Sequence, residues 1–391
     1  MKKGWEEKRL DAISENIDSK RVPVTRKDRR AGKYPYYGAS GIVDYINEYI
    51  FDENLLLVSE DGANLLARTY PIAFSIRGKT WVNNHAHVLR FENIASQRFV
   101  EYYLNSIKLD DYVSGMAQPK LNQTMLNSII IPFPPLSEQQ RIGAILDEVF
   151  EKTTKAKENA EKNLQNAHEL FESYLQSVFA NPGEEWEKKK LIQMCEIRPP
   201  KNEARTKLRD TDTVSFVPME DLDTKQKWFV PTKERTLKEV EGSYTYFADK
   251  DVLLAKITPC FENGKLGIAN NLKNGIGFGS SEFIVFRANK GLYSEFLYYY
   301  LLREEFRREG SKRMMGAVGH KRVSKEFVES TIIPFPSLLE QKIVVAKLDE
   351  LSSESKKLEA IYQQKIADLE ELKKSILQKA FAGELTMEIE Q

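Results

Sequence analysis

From residue 138 to 180, and again from 340 to 382, no proline interrupts the chain, and apolar or small residues return at steps of four and three. In the first stretch the series is Ile142, Leu146, Val149, Thr153, Ala156, Ala160, Asn163, Ala167, Leu170, Tyr174; in the second it is Val344, Leu348, Leu351, Ser355, Leu358, Tyr362, Lys365, Leu369, Leu372, Ile376. That spacing is a heptad and predicts two long helices, each of about 43 residues and ~65 Å. Ser137 stands where an N-cap would open the first helix, and Asn181-Pro182-Gly183 and Gly383 close the pair. Neither seam is apolar enough to stand alone. Small and polar residues in one seam and larger ones in the other predict that the helices pair with each other, antiparallel because the second must travel back towards the first.

Outside these stretches, short apolar runs broken by Gly, Asn and Pro predict strands at Asn54–Val58, Val88–Phe91, Asp251–Ala255 and Phe283–Phe286. Helical spacing appears in Arg98–Leu104 and Glu295–Leu302. The aromatic stripes of these two read as faces packed on their own domains rather than as platforms for stacked bases. The content is α/β (α+β).

The pattern is written twice. Ile130-Ile131-Pro132-Phe133-Pro134 through Glu138-Gln139 returns as Ile332-Ile333-Pro334-Phe335-Pro336 through Glu340-Gln341, and the offset of 202 holds without gap to Phe179-Ala180 and Phe381-Ala382. Upstream, Trp5 and Leu10 match Trp186 and Leu191 at an offset of 181, so the second copy is 21 residues longer between its Trp and its Pro-Phe-Pro block. The expected organisation is a head at 1–136, a long helix at 137–181, a second head at 182–338, a second helix at 339–382 and an acidic tail at 383–391. Two globular heads would be held apart by a rod of two antiparallel coiled-coil helices, with an internal pseudo-two-fold repeat.

With 391 residues, 41% hydrophobic and 10% aromatic, the chain is long and apolar enough for real cores. It holds no run of the length needed to span a membrane, and its start lacks the apolar stretch of a signal peptide, so a cytoplasmic protein without a membrane partner is expected. Cys195 and Cys260 suit neither a metal site nor a disulfide framework. The 58 basic and 58 acidic side chains cancel, but their distribution is uneven. The helices and tail are net acidic and the heads net basic, with cations bunched at Lys20-Arg21, Arg26-Lys27, Arg29-Arg30 and Lys33, and at Arg198, Lys201, Arg205, Lys207 and Arg209. Both groups lie at corresponding places, about fifteen residues after each Trp. A charge run is often only a solvated face; two at matching places suit a surface that meets DNA phosphates.

Motifs for catalysis fail in turn. Gly78-Lys79-Thr80 has the end of a phosphate loop, but Ala73 stands where the leading glycine belongs. His85-Ala86-His87 lacks an evident third metal ligand, and no nucleophile has a visible base. No glycine-rich cofactor loop is followed by an acidic ribose ligand. The chain reads as a binding device.

The two Pro-Phe-Pro blocks, each opening a heptad helix, resemble the specificity subunit of Type I restriction-modification systems. Tyr34-Pro35-Tyr36-Tyr37-Gly38-Ala39-Ser40-Gly41, Glu60-Asp61-Gly62-Ala63 and Trp81-Val82-Asn83-Asn84-His85-Ala86-His87-Val88-Leu89 are similar to stretches of that family's target recognition domains. The resemblance covers the whole chain. It implies a non-catalytic, sequence-specific subunit in which each head reads half of a bipartite site on double-stranded DNA, while the helices set the gap and dock two methyltransferase (modification) subunits. S-adenosylmethionine would belong to those subunits and cleavage to restriction/motor subunits; this chain itself would bind no cofactor and no metal.

The second head departs from the first, with Thr258-Pro259-Cys260 near the place of Glu60-Asp61-Gly62, and Ser280-Ser281-Glu282 replacing Asn83-Asn84-His85, which implies different half-sites. Candidate DNA contacts on polar loops are Tyr36, Tyr37, Ser40, Asp61, Asn64, Lys79, Asn83, His85, Gln118 and Lys120 in the first head. In the second they are Lys201, Arg205, Lys256, Thr258, Lys265, Ser281, Glu282, His320, Lys321 and Arg322. For each of them the competing reading is a loop residue satisfied within its own domain. The competing reading of the whole chain is a non-enzymatic coiled-coil scaffold joining two protein partners.

Overall fold

A computed structural model describes residues 4–115, 118–224, 226–317 and 319–385; the end of the expected acidic tail, 386–391, lies outside the described residues. The chain divides into two compact units, Met1–Glu161 with Gln363–Gln391, and Lys162–Tyr362. Both divisions fall inside the long helices, so each unit holds one head, the first part of the helix that follows it and the last part of the other helix.

The first unit contains β1 (Glu6–Arg9), β2 (Glu15–Asn16), β3 (Ala31–Gly38), β4 (Gly41–Ile46), β5 (Phe51–Asp52), β6 (Leu55–Ser59), β7 (Ala73–Ile76), β8 (Lys79–Val82), β9 (Ala86–Arg90) and β10 (Ile130–Phe133). Its helices are α1 (Asn64–Ala67), α2 (Ile94–Ser106), α3 (Gln123–Asn127) and the start of α4 (Leu136–Ala180). The second unit repeats them as β11 (Glu187–Lys190), β12 (Cys195–Ile197), β13 (Thr213–Val217), β14 (Lys233–Thr236), β15 (Thr245–Ala248), β16 (Val252–Ala255), β17 (Leu266–Ile268), β18 (Ile276–Gly279), β19 (Phe283–Ala288) and β20 (Ile332–Phe335). Its helices are α5 (Leu191–Met194), α6 (Asn202–Lys207), α7 (Leu237–Val240), α8 (Ser294–Leu302), α9 (Glu304–Lys312), α10 (Lys325–Ser330) and the start of α11 (Leu338–Ala382).

The sheets match one for one. The first head has strand orders β2-β9-β6-β7, β4-β3-β8-β5 and β1-β10; the second has β12-β19-β16-β17, β14-β13-β18-β15 and β11-β20. In both heads one pairing is parallel, β3 with β8 and β13 with β18. The fully buried strands Leu55–Ser59 and Val252–Ala255, built on the apolar runs Leu55–Val58 and Val252–Ala255, lie at the centre of a sheet, flanked on both sides, as continuous hydrophobic runs should. The greater length of the second head sits largely in one place: β3 and β4 join through the tight turn Ala39-Ser40, whereas β13 and β14 are joined by residues 218–232.

The repeated sequence blocks are structural fastenings. The Pro-Phe-Pro segments are β10 and β20, paired antiparallel with the strands that follow Trp5 and Trp186. Trp5 meets Phe99 of α2 at 6.2 Å, and Phe99 meets Phe381 at 5.3 Å. In the second unit Trp186 meets Phe296 at 6.1 Å, and Phe296 meets Phe179 at 5.2 Å. Each head therefore grips the far end of the other head's helix. The near end is held by a buried glutamine. Gln139 accepts from Ser96 Oγ at 2.6 Å and donates to the Pro134 carbonyl at 2.7 Å. Gln341 accepts from the Tyr293 N–H at 2.8 Å and donates to the Gly291 and Pro336 carbonyls at 2.8 and 2.9 Å.

α4 and α11 have 45 residues each. Ser137 is not the N-cap of α4: the helix starts at Leu136, and the Pro135 carbonyl takes the N–H groups of Glu138 and Gln139. In the second copy Ser337, at the place of Pro135, caps α11 in a reciprocal pairing with Glu340. Within the first unit Leu146 shares a core with Ala380, and Lys157 meets Glu370 at 2.6 Å. Within the second, Ser355 donates to the Ala167 carbonyl at 2.6 Å, and Leu175 shares a core with Leu348. Rising numbers on one helix meet falling numbers on the other, so they run antiparallel in both units.

Most of the expected seam positions are covered, and six of the twenty, Asn163, Leu170, Tyr174, Leu358, Lys365 and Leu372, are exposed. Ile142, Leu146, Thr153, Ala160, Ala167, Leu348 and Ser355 are buried, and Val149, Val344, Leu351 and Leu369 are partly buried. Leu170, Leu358 and Leu372 instead face solvent, 59%, 38% and 45% exposed. Along α11 the covered face runs Val345, Leu348, Ser352, Ser355, Glu359, Tyr362, Ile366, Leu369, Lys373, Ile376, Ala380, which is the same heptad read in steps of three and four. In α4 the covered positions after Ala160 are Leu164, Ala167, Phe171 and Leu175. Phe171 and Leu175 turn towards the core of the second head, a tertiary contact that the spacing within one helix does not encode.

Candidate nucleic-acid interface

Each head brings three loops together through one set of backbone hydrogen bonds. In the first head the Glu60 N–H donates to the His85 carbonyl at 2.9 Å, Leu121 N–H to the Glu60 carbonyl at 2.8 Å, and Gly62 N–H to the Pro119 carbonyl at 3.0 Å. In the second head Lys256 N–H donates to the Glu282 carbonyl at 2.9 Å, Val323 N–H to the Lys256 carbonyl at 2.9 Å, and Thr258 N–H to the Lys321 carbonyl at 2.9 Å. A hairpin tip completes each: Ser114 exchanges backbone bonds with Lys120, and Met315 with Arg322. The frame equates Glu60 with Lys256, His85 with Glu282 and Lys120 with Arg322. Asn83 and Ser280 also correspond, each side-chain oxygen accepting the N–H two residues ahead, at 2.8 and 3.2 Å.

On this common frame the charges are exchanged. In the first head the anion is Glu60, held between Arg21 at 2.6 Å and Lys120 at 3.1 Å. Burial alone would raise its carboxyl, but these cations and nearby His87 hold it below its ordinary value. Asp18 behaves alike: burial opposes ionisation, yet His87 and Arg21 keep the carboxyl low. In the second head the cation Lys256 takes the place of Glu60; burial lowers its ammonium, and it donates to the Ser281 carbonyl at 2.7 Å. The anion there is Glu282, which receives two bonds from Arg322 at 2.8 and 2.9 Å and is held low chiefly by them.

The remaining candidates divide by exposure. Ser40 lies in the exposed β3–β4 turn with Gly41 at φ +118°, a conformation that favours glycine. Lys79 is exposed over the Tyr49 ring at 4.7 Å. His85 is half-exposed, its Nδ1 2.8 Å from Asp61. Gln118, Lys120, Ser281, His320 and Lys321 are exposed. Others are spent on the fold. Tyr36 is buried, its hydroxyl bonded to the Val24 main chain and its ring stacked by Arg29 at 4.4 Å. Tyr37 packs on Phe74, and Asn83 is buried. Asn64 closes its loop on the Tyr70 main chain. Lys201 and Arg205 are tied to the main chain and side chain of the 241–242 turn, Thr258 to Glu262 at 3.1 Å, and Lys265 to the Met219 carbonyl at 2.8 Å. Among the bunched cations Arg21 and Arg29 are likewise internal, while Lys20, Arg26, Lys27 and Arg30 are exposed.

The acid–histidine group Asp18, Glu60 and His87 brings three ligand-type atoms within 4.8 Å of one another. His87 Nδ1 meets Asp18 at 2.5 Å and Nε2 meets the Leu121 carbonyl at 2.7 Å, so both ring nitrogens face acceptors. Arg21 and Lys120 already supply positive charge to the carboxylates. The group is held together as a buried ion-pair network. Sequence reading named His87 only as half of a histidine pair; its partner Asp18, 69 residues away, carries no local signal. The Cys195 thiol is buried and pushed up to about 12, which leaves it inert.

Two α/β heads repeated in tandem, each opening a 45-residue helix and presenting one polar loop cluster, define a two-headed protein with an internal repeat. The family model described as Type I restriction modification DNA specificity domain matches residues 2–166 and 183–369, and the chain belongs to that family. It is 36% identical over 186 residues to the Type I restriction enzyme EcoAI specificity subunit of Escherichia coli, a match covering 47% of this chain and 30% of that protein. Matches to the first curated relatives span about a third of those proteins' length. The MjaVIII specificity subunit of Methanocaldococcus jannaschii is 25% identical, with 97% of this chain and 93% of that protein covered. A solved structure from work on complex assembly and conformational transition of the type I R-M system shares the fold, with TM-score 0.69, 18% identity, and 98% and 99% of the two chains covered. No helix among the described residues is long and apolar enough to cross a membrane.

Proposed function

We propose that this chain is the specificity subunit of a Type I restriction-modification complex and itself performs no chemistry. Each head reads one half of a split site on double-stranded DNA. The observation that carries this reading is the pair of loop clusters with one backbone frame and exchanged charges, Glu60, His85 and Lys120 against Lys256, Glu282 and Arg322. Base edges in the major groove differ in donor and acceptor pattern, so different polar groups on the same frame select different bases. Lys120 and Arg322 are the side chains best placed to exchange an internal carboxylate for guanine or phosphate, and exposed Lys20, Arg26 and Lys27 supply phosphate contacts.

The paired helices set the unread gap and dock two methyltransferase subunits, which bring S-adenosylmethionine, with restriction/motor subunits added to that core. Such a complex works in the cytoplasm. The test is to exchange the segment from Trp5 to Ile131 for the corresponding head of a relative and map methylated sites with the partner subunits present. The expected result is one altered half-site, with the other half-site and the gap retained. Alteration of both half-sites, or stoichiometric binding of S-adenosylmethionine to the isolated chain in calorimetry, overturns the reading.

A further inference from the structure

In the loop cluster of the first head the His85 ring is held on one side and open on the other. Its main chain is tied twice: the N–H donates to Asn83 Oδ1 at 2.8 Å, and the carbonyl accepts the Glu60 N–H at 2.9 Å. The ring is tied through Nδ1, 2.8 Å from Asp61 Oδ2. Asp61 belongs to the same bonded frame, between Glu60, whose carbonyl accepts the Leu121 N–H, and Gly62, whose N–H donates to the Pro119 carbonyl. The Asp61 side chain is 19% exposed and that of His85 50%, so the carboxylate is the inner member of the pair and the imidazole the outer one.

A carboxylate can only accept, and a neutral imidazole carries its hydrogen on one nitrogen. The contact with Asp61 therefore places that hydrogen on Nδ1 and leaves the lone pair on Nε2. No described residue bonds Nε2. In the second head the acceptor at the same place on the frame, Glu282, is closed by two bonds from Arg322 at 2.8 and 2.9 Å. Lys120, the counterpart of Arg322 in the first head, turns instead to Glu60 at 3.1 Å. The carboxylate that stands where the second head has Lys256 thus draws the cation away, and the acceptor at His85 stays open.

We infer, on the reading that each head meets half of a split DNA site, that His85 is a specificity-determining residue whose Nε2 accepts a hydrogen bond from an exocyclic amino group in the major groove, so that the first head selects adenine or cytosine at one position. Those two bases present an amino donor there, whereas guanine and thymine present carbonyl acceptors, which a lone pair repels. Asp61 is a positioning residue: it sets the tautomer, and the main-chain bonds beside it spare the ring from being ordered on binding.

Bound sequences are selected from a randomised duplex library with the assembled complex. The selected duplex is then titrated with each amino-bearing base in turn replaced by an analogue that lacks only the amino group, unsubstituted purine for adenine and 2-pyrimidinone for cytosine. At one position the wild type should select adenine or cytosine and bind the analogue about tenfold more weakly. His85→Ala should relax that position alone and bind both duplexes alike, with unchanged Tm. Asp61→Asn should weaken the preference at the same position, because an amide can donate to Nδ1 as well as accept from it; an unchanged preference overturns its positioning role. A selected split site in which His85→Ala relaxes no position, or relaxes one occupied by guanine or thymine, overturns the inference and leaves the two-head reading standing. An equal loss across all sequences in His85→Ala, the mark of a phosphate contact, overturns it too, as does an analogue that costs His85→Ala as much as the wild type. Absence of any selected split site with the wild type overturns the reading and the inference together.

Discussion

The two heads carry the same strand orders and the same three-loop frame, yet one centres a carboxylate where the other centres an ammonium. What is shared between them is main chain and fastening: Trp on Phe, buried Gln, and a Tyr–Asp contact to the helix, Tyr102 with Asp147 and Tyr299 with Asp349. What differs is the set of side chains at loop tips. Backbone bonds fix where a side chain begins and leave its chemistry free, so one scaffold carries two different sets of polar side chains without a change of fold.

The largest expected effects fall on the shared fastenings. Leu146→Asp and Leu348→Asp place an unpaired carboxylate at fully buried sites and should each cost more than about 3 kcal/mol, with loss of partner assembly. Thermal unfolding and gel filtration of the complex check this, and unaltered Tm in either variant would show that its unit does not depend on helix pairing. Gln341→Ala strands three polar groups and Gln139→Ala two. Losses of about 1 to 3 kcal/mol are expected, larger for Gln341, and denaturant titration measures the order. Equal losses would mean that bond count does not rank the two fastenings.

Acid should loosen the network of the first head. Asp18 and Glu60 have carboxyls held below their unfolded values by His87, Arg21 and Lys120 against the opposing effect of burial. Their contribution is present above the ordinary carboxylate range and is lost as pH falls through the lowered folded values. Melting followed from pH 6 to pH 3 should show a steeper fall for the wild type than for Asp18→Asn, and parallel curves would contradict the assignment.

The smallest effects belong to the seam residues that sequence spacing misplaced. Leu170→Ala, Leu358→Ala and Leu372→Ala should each change stability by less than about 0.5 kcal/mol, because those side chains are exposed. Phe171→Ala and Leu175→Ala should cost several times more. A reversed order would restore the seam read from sequence alone.

These cases mark what one sequence reveals. Periodicity finds the helices, the repeat finds the two heads, and apolar runs such as Leu55–Val58 find central strands, because each is a local or self-referential signal. The same heptad can be read in steps of four and three or three and four, and only the packing of Phe171 and Leu175 on the second head decides between them. At the loop clusters, Lys120 and Arg322 were legible as exposed cations, but Tyr36 was not legible as core: its hydroxyl partner is the main chain of Val24, a bond that no spacing encodes. The role of Gln139 and Gln341 was hidden in a block visible only as a repeat.

The central claim, one frame with two specificities, is tested most directly by selecting bound sequences from a randomised duplex library with the assembled complex carrying Arg322→Gln. Arg322 is paired with Glu282 on the surface of the second head, and its loss should relax discrimination by about 1 to 3 kcal/mol at one or two positions. The account predicts that those positions lie in one half-site, with the other half-site and the gap as in the wild type. Relaxation in both half-sites, or an unchanged selected sequence, would contradict it.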